Sequence, residues 1–430
     1  MIVKLLLDRK REGGELSPDE IRELVAAYTR GDVPDYQMAA FAMAVCCRGM
    51  SAAETNALTD AMQHSGECLS WEGLSADKHS TGGIGDKLSL VIQPLAASCG
   101  LSVPSLAGRG LGLTGGTVDK MESIPGYDAC LPLDAFRRVV ETCGVSIAAQ
   151  TAEIAPADKK LYALRDVTGT VPSIPLIVGS ILSKKLAEGA GALVFDVKCG
   201  AGAFMKSRPD ALALARALVY GAKAAGRKAA ALVTAMDEPL GYAVGNALEV
   251  EESIEVLKGA KEPEDVIDLS VELAAWMVSL AKGVALDAAR EECRANLANG
   301  AAYARFAEMV KLHGGDLDAF MARCVGNAAS CQCVAAADGF VASVDALKVA
   351  QAAFDLGAGR AKADDAIDAE AGVRLLVKRG DKVRAGQPVA QLHAPMRPEH
   401  LAGAARLVQE AIAVSAEAPA AKPLVLEVVT

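Results

Sequence analysis

Apolar positions three and four apart run through roughly the first 65 residues and predict helices. Ile21, Leu24, Val25 and Tyr28 would share one helical face. Ser17-Pro18-Asp19-Glu20 supplies a capping box with proline at the first helical position, and Ser51-Ala52-Ala53-Glu54 repeats the box. From Ser80 to about Gly144 the pattern changes. Glycine clusters alternate with short apolar runs such as 88–92, the texture of strands alternating with helices in an α/β sheet. Helical spacing returns over 158–188. It is clearest between 173 and 189, with Pro175 near the start and Gly189 past the end. Ala192-Leu193-Val194-Phe195-Asp196-Val197 suits a buried parallel strand, 211–225 a helix and 230–234 another strand.

Past residue 330 the strands 335–342 and 372–377 are predicted. The stretch 378–389 resembles the hairpin of a biotinyl or lipoyl carrier domain, without an evident lysine to modify, and reads as a structural β unit. The expected organisation is therefore of the α/β class. A small all-helical domain (1–66 and 154–189) stands beside a large mixed α/β domain (67–153 and 190–330), with a cleft between them. A C-terminal β-rich α+β unit (331–430) follows.

The length, 430 residues, is too great for one ordinary core. Aromatics are only 4%, so Ala, Val and Leu must fill the interior. A net charge of -10 argues against a nucleic-acid partner but allows a local cationic pocket for a small anion. The 11 cysteines lack the paired spacing of a zinc site and read as free thiols of a reducing compartment. The N-terminal apolar stretch is broken by Asp8, Arg9 and Lys10. It reads as neither a signal peptide nor a membrane span, and a cytoplasmic protein is expected.

Two glycine-rich segments carry the chemistry. The first is Lys78-His79-Ser80-Thr81-Gly82-Gly83-Ile84-Gly85-Asp86-Lys87-Leu88-Ser89. The second is Gly108-Arg109-Gly110-Leu111-Gly112-Leu113-Thr114-Gly115-Gly116-Thr117-Val118-Asp119-Lys120. Glycines let backbone amides converge on an anion, lysine adds charge, and hydroxyls add donors.

The first segment is similar to the KHSTGGxGD signature of thymidine and pyrimidine nucleoside phosphorylases. The second, completed by Glu122 and Ser123, resembles their GRGLGxTGGTxDKxES signature. Matches continue through Ala155-Pro156-Ala157-Asp158-Lys159-Lys160, Asp196-Val197-Lys198, Pro239-Leu240-Gly241-Tyr242 and Leu356-Gly357-Ala358-Gly359-Arg360, so the resemblance is collinear over the chain. It implies phosphorolysis of a pyrimidine nucleoside (uridine, deoxyuridine or thymidine) by a homodimer joined through the helical domain. Inorganic phosphate is the implied co-substrate, with no organic cofactor. By the same resemblance Lys78, Ser80, Ser89 and Thr117 line the phosphate. His79, Arg165, Ser180 and Lys184 hold the base, with His79, Arg165 and Lys184 catalytic. Leu111, Val171, Ile177 and Phe204 give an apolar wall. A monovalent cation, potassium, is implied at Gly85, Leu240, Ala243 and Glu252 together with position 87.

The chain departs from that pattern at four places. Ala107 stands where the family has a phosphate-binding serine, and Leu113 where it has a histidine expected to face the pocket. Pro172 fixes the backbone just where the helix of 173–189 begins, beside the implied base or sugar site. Lys87 replaces a small hydroxyl residue and could place its ammonium where the cation would sit, paired with Glu252. These departures point to shifted nucleoside specificity and to an enzyme that needs no potassium. Two other classes stand beside this reading. A phosphoribosyltransferase of the anthranilate type would need paired acids for magnesium and diphosphate. A nucleoside-binding protein with impaired turnover would release no base when given phosphate.

Overall fold

A computed structural model describes residues 2–110, 112–323, 330–362 and 365–430. Helices α1 (Val3–Arg11), α2 (Pro18–Arg30), α3 (Asp35–Arg48) and α4 (Ala52–Gln63) open the chain. Then come β1 (Ala76–Ser80), α5 (Leu88–Ser98), β2 (Val103–Ala107), α6 (Thr117–Met121), α7 (Leu133–Cys143) and β3 (Val145–Ala149). Helices α8 (Pro156–Thr168) and α9 (Ile174–Ala187) follow, then β4 (Ala192–Cys199), α10 (Arg208–Ala224), β5 (Lys228–Ala235) and β6 (Ala243–Val244). Helices α11 (Asn246–Leu257), α12 (Glu264–Lys282), α13 (Leu286–Ala298), α14 (Ala301–Leu312) and α15 (Leu317–Ala322) lead to the C-terminal region. That region holds β7 (Ser330–Val334), β8 (Gly339–Val344), α16 (Ala346–Leu356), β9 (Gly372–Leu375), β10 (Lys382–Val383), β11 (Pro388–His393), α17 (Leu401–Ala411), β12 (Ile412–Ser415) and β13 (Val425–Val429).

Both capping boxes form. Ser17 accepts from the Glu20 amide at 3.3 Å while Glu20 accepts from the Ser17 amide at 2.8 Å, and Ser51 and Glu54 do the same. The predicted face of Ile21, Leu24, Val25 and Tyr28 is buried against Phe41, Leu58, Leu161 and Leu176. Thus α8 and α9 join the N-terminal helices in one core although about 90 residues separate them.

In the large domain β1, β4 and β5 are parallel, from the pairs Ala76↔Ala192 and Ala192↔Lys228 onward. β2 and β3 form a second parallel pair, joined to β1 through the Ser75↔Ser102 bridge. The stretch 88–92, an apolar run in the strand-and-helix region, lies inside α5. That helix is buried on nearly all sides, so its apolar periodicity is lost.

The C-terminal region differs from the expected single unit at 331–430. Strand β13 pairs antiparallel with β5 in the large sheet, Val425↔Thr234 onward, and covers an edge whose amides would otherwise lack partners. In exchange β6 of the large domain pairs with β9. The stretch 378–389 is not a hairpin either: β10 pairs with β8, whereas β11 pairs with β7 and β9 in another sheet. Among the described residues no helix is long and apolar enough to cross a membrane, and the ten described cysteines are free.

Candidate active site

A cleft of about 690 Å³ opens at the carboxyl ends of β1 and β2, where parallel α/β sheets bind ligands. One wall carries Lys78, His79 and Ser80 from the end of β1, Ser89 from the first turn of α5, Ala107 from the end of β2 and Thr117 from the start of α6. Asp158, Lys159 and Tyr162 of α8 and Lys184 of α9 line the other.

On the sheet side the chain gathers lysines and hydroxyls in one corner. The buried Lys78 ammonium lies 3.5 Å from the Ser89 hydroxyl and 3.6 Å from Asp196, whose charge is also met by Lys198 at 2.7 Å. Ser89 sits in a helical first turn, where amides lack intrahelical acceptors. Ser80 is less available than the resemblance implies. Its hydroxyl donates to Asp86 at 2.5 Å and accepts from the Gly82 amide at 3.1 Å. Burial would push the Asp86 carboxyl up, but Lys198, Lys78, the Ser80 hydrogen bond and Lys120 outweigh it and hold the group well below the usual carboxylate range. Lys120 also donates to the Asp86 carbonyl at 2.8 Å.

Asp119 shapes the second glycine loop. One of its oxygens accepts from the Gly110 and Gly116 amides at 2.6 and 2.8 Å; the other meets Arg360 at 2.8 Å. A Cβ on Gly110 would overlap the Thr114 carbonyl, so the loop closes only with glycine there. Leu111 lies outside the described residues. Leu113 was expected to make the pocket apolar. It packs instead against the core of the C-terminal region, away from the cleft lining.

On the helical side Lys184 pairs with the buried Asp158 and donates to the Ser180 hydroxyl at 2.9 Å. Arg165 is not among the cleft-lining residues. It is 1% exposed, and its guanidinium donates to the carbonyls of Thr170 at 3.3 Å, Val171 at 2.8 Å and Leu176 at 3.0 Å. Arg165 therefore staples the loop between α8 and α9. Ser180, Val171, Ile177 and Phe204 also stay off the lining; Ser180 is buried behind Lys184, Ile177 packs beside the Leu182 and Leu193 cluster, and Phe204 is 47% exposed. Burial, then Lys185, Lys184 and Lys78, push the His79 imidazole well below its usual pKa against a smaller opposing effect of Asp86, so it is neutral at neutral pH. Lys185 is anchored by Asp77 at 2.6 Å and Glu188 at 2.9 Å.

The positions implied for a cation also come together, but a side chain fills them. The Lys87 ammonium lies 2.8 Å from the Leu240 carbonyl, 3.0 Å from that of Ala243 and 2.7 Å from Glu252. Its amide donates to the Gly85 carbonyl at 2.9 Å. These residues do not fit a separate ion.

Sequence reasoning passed over Asp158, Asp86, Asp119 and Lys120 as site residues. All four lie in the segments that carry the resemblance. For the three aspartates the signal was an acid among many cations: Asp158 organises a lysine, Asp86 a hydroxyl and Asp119 the glycine amides of the second loop.

Residues 4–66 match the helical bundle domain of a glycosyl transferase family and residues 72–303 its a/b domain. Residues 340–415 match the pyrimidine nucleoside phosphorylase C-terminal domain. The chain is 45% identical over 394 residues to the pyrimidine-nucleoside phosphorylase of Geobacillus stearothermophilus, covering 90% of this chain and 91% of that protein. It is 44% identical over 435 residues to the thymidine phosphorylase of Rhizobium meliloti (strain 1021), covering 99% and 98%. Among solved structures it is similar to anthranilate phosphoribosyltransferase from Thermus thermophilus. The TM-score is 0.58 at 20% identity, over 71% of this chain and 98% of that one, which shows a shared fold. Matches of this extent to both relatives and to all three domain families mean that the chain belongs to the pyrimidine-nucleoside and thymidine phosphorylase family.

Proposed function

We propose that this protein catalyses the reversible phosphorolysis of a pyrimidine nucleoside to free base and ribose or deoxyribose 1-phosphate. The observation that carries it is the meeting of two sets of groups in one cleft: Lys78, Ser89 and Thr117 on one wall and Lys184, held by the buried Ser180 hydroxyl, on the other, with His79 lining the same cleft and its pKa depressed by burial, Lys185, Lys184 and Lys78.

In this reading Lys78, the Ser89 and Thr117 hydroxyls and the amides at the start of α5 hold inorganic phosphate. A phosphate oxygen forms a bond to the anomeric carbon. The bond from that carbon to the ring nitrogen breaks, and its electron pair leaves on the base. Lys184 donates to the pyrimidine oxygen that gains charge, and Ser180 complements the base edge. His79 is neutral and donates a hydrogen bond rather than a full proton. Arg165 is a positioning residue. It fixes the loop from which α9 brings Ser180 and Lys184 into place. Approach of the two walls would align the reactants and exclude water, favouring phosphate over water as nucleophile. Val171, Ile177 and Phe204 would reach the base only in such a closed form.

The same reading has a cytoplasmic homodimer. Exposed apolar side chains on the helical domain support a contact there: Leu5 on α1, Tyr36 and Met43 on α3, and Val167 on α8. The decisive assay is release of free base from uridine, deoxyuridine, thymidine and cytidine with and without phosphate. Release that requires phosphate is expected for at least one of the first three. Nucleoside binding with no phosphate-dependent release would replace this reading with that of a binding protein.

A further inference from the structure

We propose that the Lys87 ammonium is a tethered cation that takes the structural place of a bound monovalent ion, and that shortening this side chain opens a working cation site in the same cradle.

The Lys87 side chain is 0% exposed. Its three partners are all oxygens: two main-chain carbonyls, Leu240 and Ala243, and the Glu252 carboxylate. Burial alone would lower the pKa of this ammonium. Glu252 and then Glu249 outweigh that and raise it, so the charge is retained. The cradle walls are glycines at left-handed φ, 68° for Gly85 and 66° for Gly241. A Cβ on Gly85 would stand 2.5 Å from the Leu240 carbonyl. One on Gly241 would overlap Glu252 and stand 2.8 Å from the ammonium. The cradle is therefore closed around one positive charge.

What that charge organises is the loop 239–243. Lys378 of the C-terminal region takes the Pro239 and Gly241 carbonyls at 2.8 and 2.9 Å. Lys87 takes Leu240 and Ala243, and Glu252 accepts from the Tyr242 amide at 2.8 Å. Lys87 is also the cap residue of α5, between Asp86 and Ser89. The charge thus ties this loop to the corner that would hold phosphate. A threonine at 87 would replace the ammonium with a hydroxyl and leave four oxygen donors around a hole, the ligand type that hard cations take.

The test is thermal unfolding of the full chain, wild type and Lys87→Thr, in potassium, sodium or tetramethylammonium chloride at equal ionic strength. No substrate is present, so the outcome is independent of which nucleoside is cleaved. The wild type should unfold within about 1 °C of the same temperature in all three salts. Lys87→Thr should unfold lower in tetramethylammonium and recover by roughly 3 °C or more, saturably, with potassium. Lys87→Met, which fills the hole without a charge or an oxygen, should be destabilised in every salt. Adding Glu252→Gln to Lys87→Thr should abolish the potassium response. A saturable potassium effect on the wild type would overturn the proposal. So would a Lys87→Thr chain that responds alike to all three salts or fails to fold in each of them.

Discussion

Asp158 in the first turn of α8 holds the Lys184 ammonium of α9, and that ammonium in turn donates to the Ser180 hydroxyl at 2.9 Å. The carboxylate is buried and its second oxygen lacks a partner among the described residues, so its hold on the lysine is its main engagement. Asp158→Asn keeps the shape and removes the charge. It should lower kcat/KM for the nucleoside roughly 10- to 100-fold, while Lys184→Met lowers it about 100- to 1000-fold. The double variant should be little worse than Lys184→Met, because the two act as one unit. Steady-state kinetics on the three variants decide this; additive losses would show that Asp158 acts apart from Lys184.

Arg165 gives a contrast between charge and geometry. Its three carbonyl contacts span both sides of the turn between α8 and α9. A lysine retains the charge but lacks the planar fork. Arg165→Lys should therefore cost stability, on the order of 2–4 kcal/mol for the buried carbonyls it leaves unmet, and should raise the nucleoside KM more than it changes phosphate binding. Chemical denaturation and kinetics check it together. A variant of full stability with only kcat reduced would return Arg165 to direct contact with the base.

Much of this was legible in the sequence, and what was not has physical causes. Ser180 and Lys184 stand one helical turn apart, and that spacing becomes the observed hydrogen bond. Lys87 and Glu252, named as a pair from sequence, meet at 2.7 Å. By contrast, α5 gave no helical signal because burial on every side removes the polar face that makes a periodicity. The return of β13 to β5 depends on an edge that exists only once the sheet has formed. Leu113 faces the C-terminal core, and Arg165 the backbone of its own turn. Position in a motif names a neighbourhood but leaves open which way a side chain turns.

The neutral imidazole of His79 has a stability consequence with a definite sign. Its folded pKa lies below the unfolded value of about 6.5. As pH falls through that value, the unfolded chain takes up a proton that the folded imidazole refuses. The stability tied to neutral His79 is thus complete above about pH 6.5 and is lost as pH falls toward the folded pKa. His79→Gln should lose less stability than the wild type between about pH 7 and pH 5. Unfolding midpoints at the two pH values read the difference. In a parallel NMR titration the His79 ring should stay in its neutral form at about pH 6; a ring half protonated near 6.5 would contradict it.

Ala107, at the end of β2, lines the same cleft as Lys78 and Ser89. Alanine has no side-chain donor, and the Ser80 hydroxyl already donates its hydrogen bond to Asp86. In the proposed reading, phosphate would therefore meet fewer hydroxyls than the family pattern supplies. Ala107→Ser adds one hydroxyl at a partly exposed position on the edge of the large-domain core. A hydrogen bond to a charged acceptor contributes about 1.5–3 kcal/mol when well formed, and the partly open cleft will realise only part of it. The expected result is a phosphate KM lower by roughly threefold to tenfold, with the nucleoside KM nearly unchanged. Initial rates against phosphate at saturating nucleoside measure it. An unchanged phosphate KM would mean that the anion lies nearer Lys78 and Ser89 than the end of β2, leaving the amides of α5 as its main donors.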